Sequence, residues 1–414
     1  MNDFLTFGII KKYRGKCDYI CTERGGMLYL DNAATTPVLP EVRDVMLNYI
    51  ADNYGNPSSI YKIGRMNKIA LEEARKIVAE TIGAASDEVF FTSGGTESDN
   101  WVLESALTGS QVHDTTGGSS GKKGHIIVSS IEHPAIMNKC RQLEKRGYKV
   151  TYVKVHPNGI INMNDLVSHI QCDTRLISVM LVNNEIGTIQ PVKGVCNIAA
   201  EYGIPVHTDA VAAYGHIPVN VNELGVDYMS VSAHKIGGAK GVGFLYARSG
   251  NISPLICGGG QERGMRSGTE NVAGIIGLAI AARISQNRLK QRIQEEMSTR
   301  NYITNRILRE VKGSALNGDY KYRISGNMNF RFDGINGGEL VIMLDKDGIC
   351  VSAGSACHGN LGGPSHVLKA IGLDDEGAQS SIRITLNHGL TRKQCDYCVE
   401  CIKRDVRELR ESTG

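Results

Sequence analysis

Alternating helical and apolar segments between Leu28 and Gly250 restrict this chain to a small group of folds. A helical pattern such as MNKIALEEARKIVAETIG is followed by short apolar runs, and these are EVFFTS, HIIVSS, LISVMLV, IPVHTD and YMSVSA. Strands that bracket helices pair in parallel, because each helix returns the chain to the same starting edge. The pattern therefore predicts an α/β fold with a large, mostly parallel sheet and helices on both faces.

The last part of the chain has a different character. Beyond a long amphipathic pattern that begins near Val272, shorter strands such as GNMNFRF and SIRITLN mix with helices, which predicts a smaller α+β domain. A chain of 414 residues also exceeds the size at which a single core usually stops growing. We therefore expect two domains, with a Gly/Ser-rich surface insertion near residues 113–124.

Charge and hydropathy exclude several classes of partner. The formal net charge of +3 is spread without long runs of one sign, so the chain lacks the basic footprint of a nucleic-acid or membrane-surface protein. Its first 27 residues carry only a short apolar run broken by basic residues, unlike a signal peptide. We expect a cytoplasmic protein that acts on small polar metabolites, and its eleven cysteines are then mostly reduced thiols.

Polar side chains stand where the predicted strands end. The run FFTSGGTESDN passes from a strand through glycines into a helix, so the free N–H groups of the first turn and the Thr96 hydroxyl can hold a phosphate. Later strands end at His133, at Asn184, at Asp209 and at the Ser232–Lys235 stretch. Each residue alone could be a helix cap or a surface residue, but ligands of open α/β sheets bind at this edge.

This set of groups matches one cofactor. A ligand with a phosphate, a ring nitrogen and an aldehyde needs a helix N-terminus, a carboxylate, an aromatic face and a lysine. Pyridoxal 5'-phosphate is that ligand. Asp209 would keep its ring nitrogen protonated, and Lys235 is the lysine placed to form a Schiff base with the aldehyde. No metal site is predicted.

The same motifs carry a family resemblance. From Tyr29 almost to its end, the chain resembles the cysteine desulfurases, the NifS-like branch of the class V aminotransferases. The motifs are, in chain order, LDNAATTP, GNPSS, FTSGGTESDN, EHPAI, NNEIG, HTDA, SAHK, GGGQERGMRSGTEN, GSACH and SSIRITL. The resemblance implies the aspartate aminotransferase-like fold of pyridoxal phosphate-dependent transferases, and a homodimer.

The resemblance also implies roles for individual residues. Lys235, Cys357 and His133 are implied to be catalytic, as the cofactor lysine, the sulfur-accepting nucleophile and the ring-stacking proton carrier. The implied cofactor-binding set is Gly95, Thr96, His133, Asn184, Asp209, Ser232, His234, Lys235 and Thr269, with Thr269 acting across a dimer interface. Asn32, Asn184 and Arg383 are implied to bind the substrate.

The implied reaction converts L-cysteine to L-alanine and leaves the sulfur on Cys357 as a persulfide, for delivery to iron-sulfur cluster assembly or another sulfur-acceptor protein. One departure from the family is Ala212, where a glutamine usually contacts the cofactor's ring oxygen. Two alternatives stay open: a selenocysteine lyase, which shares fold and cofactor, and a non-enzymatic sulfur or metal carrier on the same fold.

With these roles, the chain divides into four predicted segments. They are an N-terminal extension (1–27), a segment that packs with the small domain (28–44), a large cofactor-binding domain (45–290) and a small C-terminal domain with the nucleophilic cysteine loop (291–414).

The other cysteines are predicted to be structural. Cys395, Cys398 and Cys401 share the apolar stripe of a helical pattern, which favours core packing over cluster ligation. Cysteines in apolar or element-like contexts are Cys140, Cys172, Cys196, Cys257 and Cys350; Cys17 and Cys21, in the extension, have no visible partner.

Overall fold

The computed structural model describes residues 27–108, 124–353 and 363–413. Residues 1–26, nearly all of the Gly/Ser-rich insertion and Cys357 lie outside these ranges. The strands are β1 (Leu28–Tyr29), β2 (Val89–Thr92), β3 (His125–Ser129), β4 (Lys149–Val153), β5 (Thr174–Ser178), β6 (Val206–Asp209), β7 (Tyr228–Ser232), β8 (Gly243–Ala247), β9 (Ser314–Leu316), β10 (Asn327–Phe332), β11 (Ile349–Cys350), β12 (Ser352–Ala353) and β13 (Ser381–Thr385).

Helices connect most of these strands. They are α1 (Pro40–Ala51), α2 (Lys62–Ile82), α3 (Gly95–Thr108), α4 (Pro134–Lys145), α5 (Met163–Ser168), α6 (Val192–Glu201), α7 (Val221–Leu224), α8 (Val272–Glu310), α9 (Gly337–Lys346), α10 (His366–Ala370), α11 (Asp375–Gln379) and α12 (Arg392–Thr413). Among the described residues, no helix has an apolar stretch long enough to span a membrane.

The large sheet has seven strands in the order β2-β8-β7-β6-β5-β3-β4. All pairs among strands β4, β3, β5, β6 and β7 are parallel, whereas β8 runs antiparallel to both β7 and β2. Two successive antiparallel pairings give β2 the same direction as β7. The predicted mostly parallel sheet is therefore confirmed, and the carboxyl ends of β2, β3, β5, β6 and β7 lie at one edge.

Side chains of the sheet alternate between two apolar cores, as the two-residue period of a strand requires. Ile127 and Ile177 point to the core formed with helices α2, α6 and α8. Their neighbours Ile126, Val128 and Leu176 point to the core formed with α3 and α4. Burial on both faces explains why these strands are apolar along their whole length.

The C-terminal part contains an antiparallel sheet in the order β12-β13-β10-β9. It packs on helix α12 and on the last part of α8, around side chains such as Phe330, Ile384 and Val399. The predicted α+β character is thus confirmed. Helix α8 runs without a break through residue 290, and the predicted domain boundaries stay predictions.

Most of the described cysteines are buried, Cys350 is half-buried, and two are exposed. Cys395, Cys398 and Cys401 are buried in the C-terminal core, as predicted, and burial raises the pKa of Cys398 to about 12. Cys172 and Cys257 are exposed, so the prediction that these two are structural is wrong. Both are in connecting segments, where an apolar neighbour in sequence does not imply burial.

A buried ion pair attaches the connection between β8 and α8 to the large sheet. Arg75, on α2, donates from Nη1 and Nη2 to the two carboxylate oxygens of Glu262, at 2.7 and 2.8 Å. Glu262 also accepts the backbone N–H of Phe91 at 2.9 Å. Both charged side chains are 3 % exposed. Glu262 has a φ of +47° and Arg263 a φ of +58°, and the ion pair holds this uncommon backbone in place.

Replacing Arg75 by methionine should lower the free energy of unfolding by about 3–5 kcal/mol, because Glu262 would remain as an uncompensated buried charge. Urea denaturation of the purified protein measures this. The matched control is Arg43→Met, which removes the exposed partner of Asp44 and should change the stability little. Equal effects of the two substitutions would contradict the role given to the buried pair.

Candidate functional site

The predicted cofactor-binding residues meet at the carboxyl edge of the large sheet. Two residues separate the end of β2 from the start of helix α3. Asp209 ends β6, Ser232 ends β7, and Lys235 ends the short turn that follows. His133 directly precedes α4, where its ring caps the helix. Parallel pairing therefore brings together residues as far apart in the chain as Gly95 and Lys235.

Two glycines show how closely the start of α3 approaches the neighbouring strand ends. A β-carbon on Gly94, whose φ is +147°, would lie 3.4 Å from Ser232 Oγ. A β-carbon on Gly95 would lie 2.5 Å from Val211, two residues beyond Asp209. Among the described residues, no acceptor is found for the backbone N–H groups of Gly95 and Thr96. The helix start can therefore hold an anion beside Ser232.

His234 and Thr269 were predicted for the same end of the site. His234 is half-buried, and its Nδ1 lies 3.2 Å from Thr35 Oγ1. Burial lowers the pKa of His234 to about 4, with a further contribution from Lys235, so the ring is neutral at pH 7. Thr269 is exposed on the connection before α8, and its role in a second subunit stays a prediction.

The same connection is joined to the helix start by a second ion pair. Arg266 donates from Nε and Nη2 to the two carboxylate oxygens of Glu97, at 2.7 and 3.1 Å. Glu97 also accepts the backbone N–H of Ser93 at 3.1 Å. The loop that carries Thr269 is therefore fixed next to the first turn of α3.

Asp209 and His133 form the middle of the site. Asp209 is 4 % exposed, and its Oδ1 accepts the backbone N–H of Val211 at 2.8 Å. Burial raises the pKa of Asp209 to about 6, and the N–H of Val211 and the charge of Lys235 oppose the rise. His133 accepts the N–H of Ala135 on Nδ1 at 3.2 Å, which places its proton on Nε2. Burial lowers the pKa of His133 to about 4.

Lys235 lies between these residues and the N-terminal segment. Its Nζ donates to the carbonyl oxygens of Ala33 and Ala34, at 2.5 and 2.8 Å. A small cleft beside it is lined in part by Asn32, Asn184, Lys235 and Ala212. The cleft thus brings together two of the three predicted substrate residues, the lysine and the position at which the chain departs from the family it resembles.

Arg383 extends from β13 toward the large sheet. Its side chain is 3 % exposed; Nη1 donates to the carbonyl oxygen of Asn184 at 3.1 Å, and Nη2 to Oδ1 of Asp31 at 2.8 Å. Asn32 uses its side-chain N–H groups to donate to the carbonyl of Thr385, at 2.8 Å, and to that of Tyr29, at 3.4 Å. The predicted substrate residues are therefore adjacent, with Asn32 also holding the N-terminal segment on β13.

Cys357 is in the undescribed segment, and the residues that flank it lie near the site. Ser352, on β12, pairs with Arg383 on β13. On the other side, Ser365 caps α10 and donates from Oγ to Glu185 Oε2 at 2.5 Å. His366 Nε2 lies 2.9 Å from the carbonyl oxygen of Glu132. Both ends of the segment that carries Cys357 are thus attached within reach of the site.

Sequence reasoning missed three acidic residues. Asp31 pairs with Arg383, and Asp99 and Glu132 are buried next to Asp209 and His133. Asp31 and Glu132 each directly precede a predicted site residue in the chain, and that position was the available signal. For Asp99, inside a helix, the sequence offered no comparable signal.

A family model described as aminotransferase class-V matches residues 28–397 of this chain. Over 384 residues the chain is 44 % identical to a protein named cysteine desulfurase IscS from Dictyoglomus turgidum; the match covers 92 % of this chain and 95 % of that protein.

Solved structures give a concordant result. The fold is similar to that of a NifS-like protein, with a TM-score of 0.84 and 36 % identity over 92 % of this chain and all of the other. It is also similar to SspA in complex with cysteine, with a TM-score of 0.75 and 33 % identity over 88 % of this chain and all of that one.

Proposed function

This chain belongs to the class-V aminotransferase family, and we propose that it is a pyridoxal phosphate-dependent cysteine desulfurase. It would convert L-cysteine to L-alanine and transfer the sulfur to Cys357 as a persulfide. The observation that carries the proposal is the meeting of the α3 start, His133, Asp209 and Lys235 in one site with Arg383 close by. The names and ligand of the similar proteins support the same substrate.

The residues present fit pyridoxal phosphate. The N–H groups of Gly95 and Thr96, together with Ser232 and His234, would hold the phosphate. Asp209 offers a buried carboxylate to the ring nitrogen. A negative charge in that place would favour the protonated, cationic form of the nitrogen. Lys235 would hold the aldehyde carbon through Nζ. When bound, the cofactor supplies an electron sink for the electron pair of the substrate's Cα–H bond.

The chain's own groups would then orient the substrate and move its protons. The guanidinium of Arg383 would bind the α-carboxylate, a planar group that matches its donors. Lys235 Nζ would move the α-proton. His133 is neutral near pH 7 with its hydrogen on Nε2, so the ring would donate that N–H to the substrate sulfur. To carry a further proton, Nδ1 would first have to release the N–H of Ala135.

Transfer of sulfur would need the thiolate of Cys357. A sulfur–sulfur bond forms as the Cβ–S bond of the substrate breaks, and the electron pair of that bond stays with the carbon, which takes up a proton to become the methyl group of alanine. No external oxidant is needed, because the substrate carbon is reduced as the sulfur is oxidised. The product persulfide is then available to an acceptor protein.

We further propose that the enzyme acts as a homodimer in the cytoplasm and delivers sulfur to an acceptor such as a cluster-assembly protein. A group of exposed apolar side chains on α1, on α2 and between them favours the dimer; its members are Leu47, Ile50, Tyr54, Ile60, Tyr61, Met66 and Ile69. Large exposed apolar side chains concentrated in one segment of a chain are consistent with an interaction site.

Replacing Lys235 by alanine should abolish production of alanine and the visible absorption of the bound cofactor, since the covalent attachment is lost. The control is Lys240→Ala, an exposed lysine five residues away, which should keep both. Absorption spectra and an alanine assay with L-cysteine and a reductant measure these results. Wild-type turnover in the Lys235 variant would overturn the assignment.

Replacing Cys357 by alanine should leave cofactor binding and the spectral response to L-cysteine intact but abolish persulfide formation. The reason is that substrate binding precedes attack on the sulfur. Mass spectrometry of the protein after a single exposure to L-cysteine detects the added sulfur. Cys172→Ala, at an exposed cysteine, is the control and should still form it. A persulfide in the Cys357 variant would refute the choice of nucleophile.

Replacing Ala212 by glutamine should shift the pH midpoint of the cofactor's visible band downward and slow cofactor loss. The side chain would donate a hydrogen bond to the ring oxygen and so favour its ionised form. One neutral hydrogen bond contributes about 1 kcal/mol, or somewhat less than one pKa unit. A pH titration compares the two proteins, and Ala239→Gln, a half-buried position away from the cleft, is the control. Coincident titrations would show that another donor already serves this oxygen.

A further inference from the structure

Asp99 is a buried carboxyl that the proposed reaction leaves unused. It lies on the second turn of α3 and is 1 % exposed. Its carboxylate, that of Asp209 and the ring of His133 lie together, with one polar atom of each within 4.8 Å of the other two. Two carboxyl groups therefore share one buried space beside His133.

Burial and the charges of Asp209 and Glu132 disfavour a negative charge on Asp99, and a hydrogen bond from the Ser230 side chain offsets them only in part. Oδ1 of Asp99 has no hydrogen-bond partner among the described residues. The nearest imidazole, that of His207, is 3.7 Å away at Nε2. Both nitrogens of His207 lie 2.9 Å from serine hydroxyls, those of Ser178 and Ser230, and burial lowers its pKa to about 3, so this ring is neutral.

Asp209 is better placed to carry the charge. It accepts a backbone N–H, from Val211, and the positive charge of Lys235 favours its ionised form. A third buried carboxyl, that of Glu132, adds to the local crowding: Oε1 accepts the N–H of Met180 at 2.7 Å, and Oε2 has no partner among the described residues. Like charges this close in a buried space cannot all be ionised.

We propose that Asp99 holds a proton at neutral pH and thereby leaves Asp209 as the ionised member of a buried carboxyl pair. Burial, with the charge of Asp209, raises the pKa of Asp99 well above its usual value, whereas that of Asp209 rises only to about 6. A carboxyl with a raised pKa stays protonated until the pH exceeds that value, so Asp209 loses its proton first as the pH rises.

This arrangement makes Asp99 a positioning residue that acts through Asp209, and the inference rests on the proposed function because it assigns the ring nitrogen to Asp209. A neutral Asp99 leaves one negative charge beside that nitrogen, and an ionised Asp99 would add a second. The titratable or charged groups that surround the pair are Glu132, His133, His207 and Lys235, and Glu97 on the same helix is paired with Arg266.

Infrared spectroscopy of the full-length, cofactor-loaded protein at pH 7.5 tests the protonation state directly. The wild-type protein should show a carbonyl-stretching band of a protonated carboxyl group that the Asp99→Asn variant lacks. Glu132→Gln is the matched control, which removes a different buried carboxyl and should leave the Asp99 band. Labelling aspartate with carbon-13 in the wild-type protein should shift the band, which assigns it even if a variant folds poorly.

Cofactor retention gives a second readout. Asp99→Asn replaces a neutral acid by a neutral amide, so loss of cofactor on dialysis should proceed at the wild-type rate. Asp209→Asn removes the ionised partner and should speed that loss by at least about tenfold.

Two results would overturn the inference: a wild-type protein without an aspartic acid band, or an Asp99→Asn variant that loses cofactor as fast as Asp209→Asn. Either can occur alongside normal alanine production, and a failed alanine assay leaves the band unaffected. The inference and the proposed function can therefore fail separately.

Discussion

Buried negative charge at the carboxyl edge of the large sheet is the constraint on which the site depends. Asp99, Glu132 and Asp209 are each less than 5 % exposed and lie near one another. Removing a carboxylate from water is unfavourable unless donors, a cation or a proton compensate it. Of the three, Asp209 has both a backbone donor and the charge of Lys235 in its favour, so it is the carboxyl best placed to carry a negative charge.

The N-terminal segment then connects this edge to the C-terminal sheet. Asp31 contacts Arg383, the carbonyls of Ala33 and Ala34 accept from Lys235, and Thr36 donates from its N–H and hydroxyl to the carbonyl of His234. The segment from Asp31 to Thr36 thus contacts both the strand that carries the guanidinium and the turn that carries the lysine. This one segment therefore links Arg383 with Lys235. A shift of the large sheet relative to the C-terminal sheet would change the distance between these two residues.

Sequence patterns predicted the part of the site that parallel strand pairing brings together. His133, Asp209 and Lys235 each follow a recognisable apolar strand, and the ends of parallel strands must meet, so their proximity could be inferred without a structure. The reversed direction of β8 left no trace in its composition. The pairing of Asp31 with Arg383, and of Arg75 with Glu262, depends on how distant segments approach, which local patterns do not encode. The exposure of Cys172 and Cys257 depends in the same way on tertiary packing.

A ligand that binds here must replace some of the contacts that Lys235 and Arg383 already make. The Nζ atom of Lys235 must leave the carbonyls of Ala33 and Ala34 before it can bond to an aldehyde. A substrate carboxylate that approaches Arg383 meets a guanidinium already paired with Asp31, so its binding gains less from charge than an unpaired arginine would provide. Specificity at this end of the site then depends on the geometry of the donors that Arg383 presents, since net charge alone offers little discrimination. The pairing of Arg383 with Asp31 also lets the site keep a buried guanidinium ordered without requiring a bound anion.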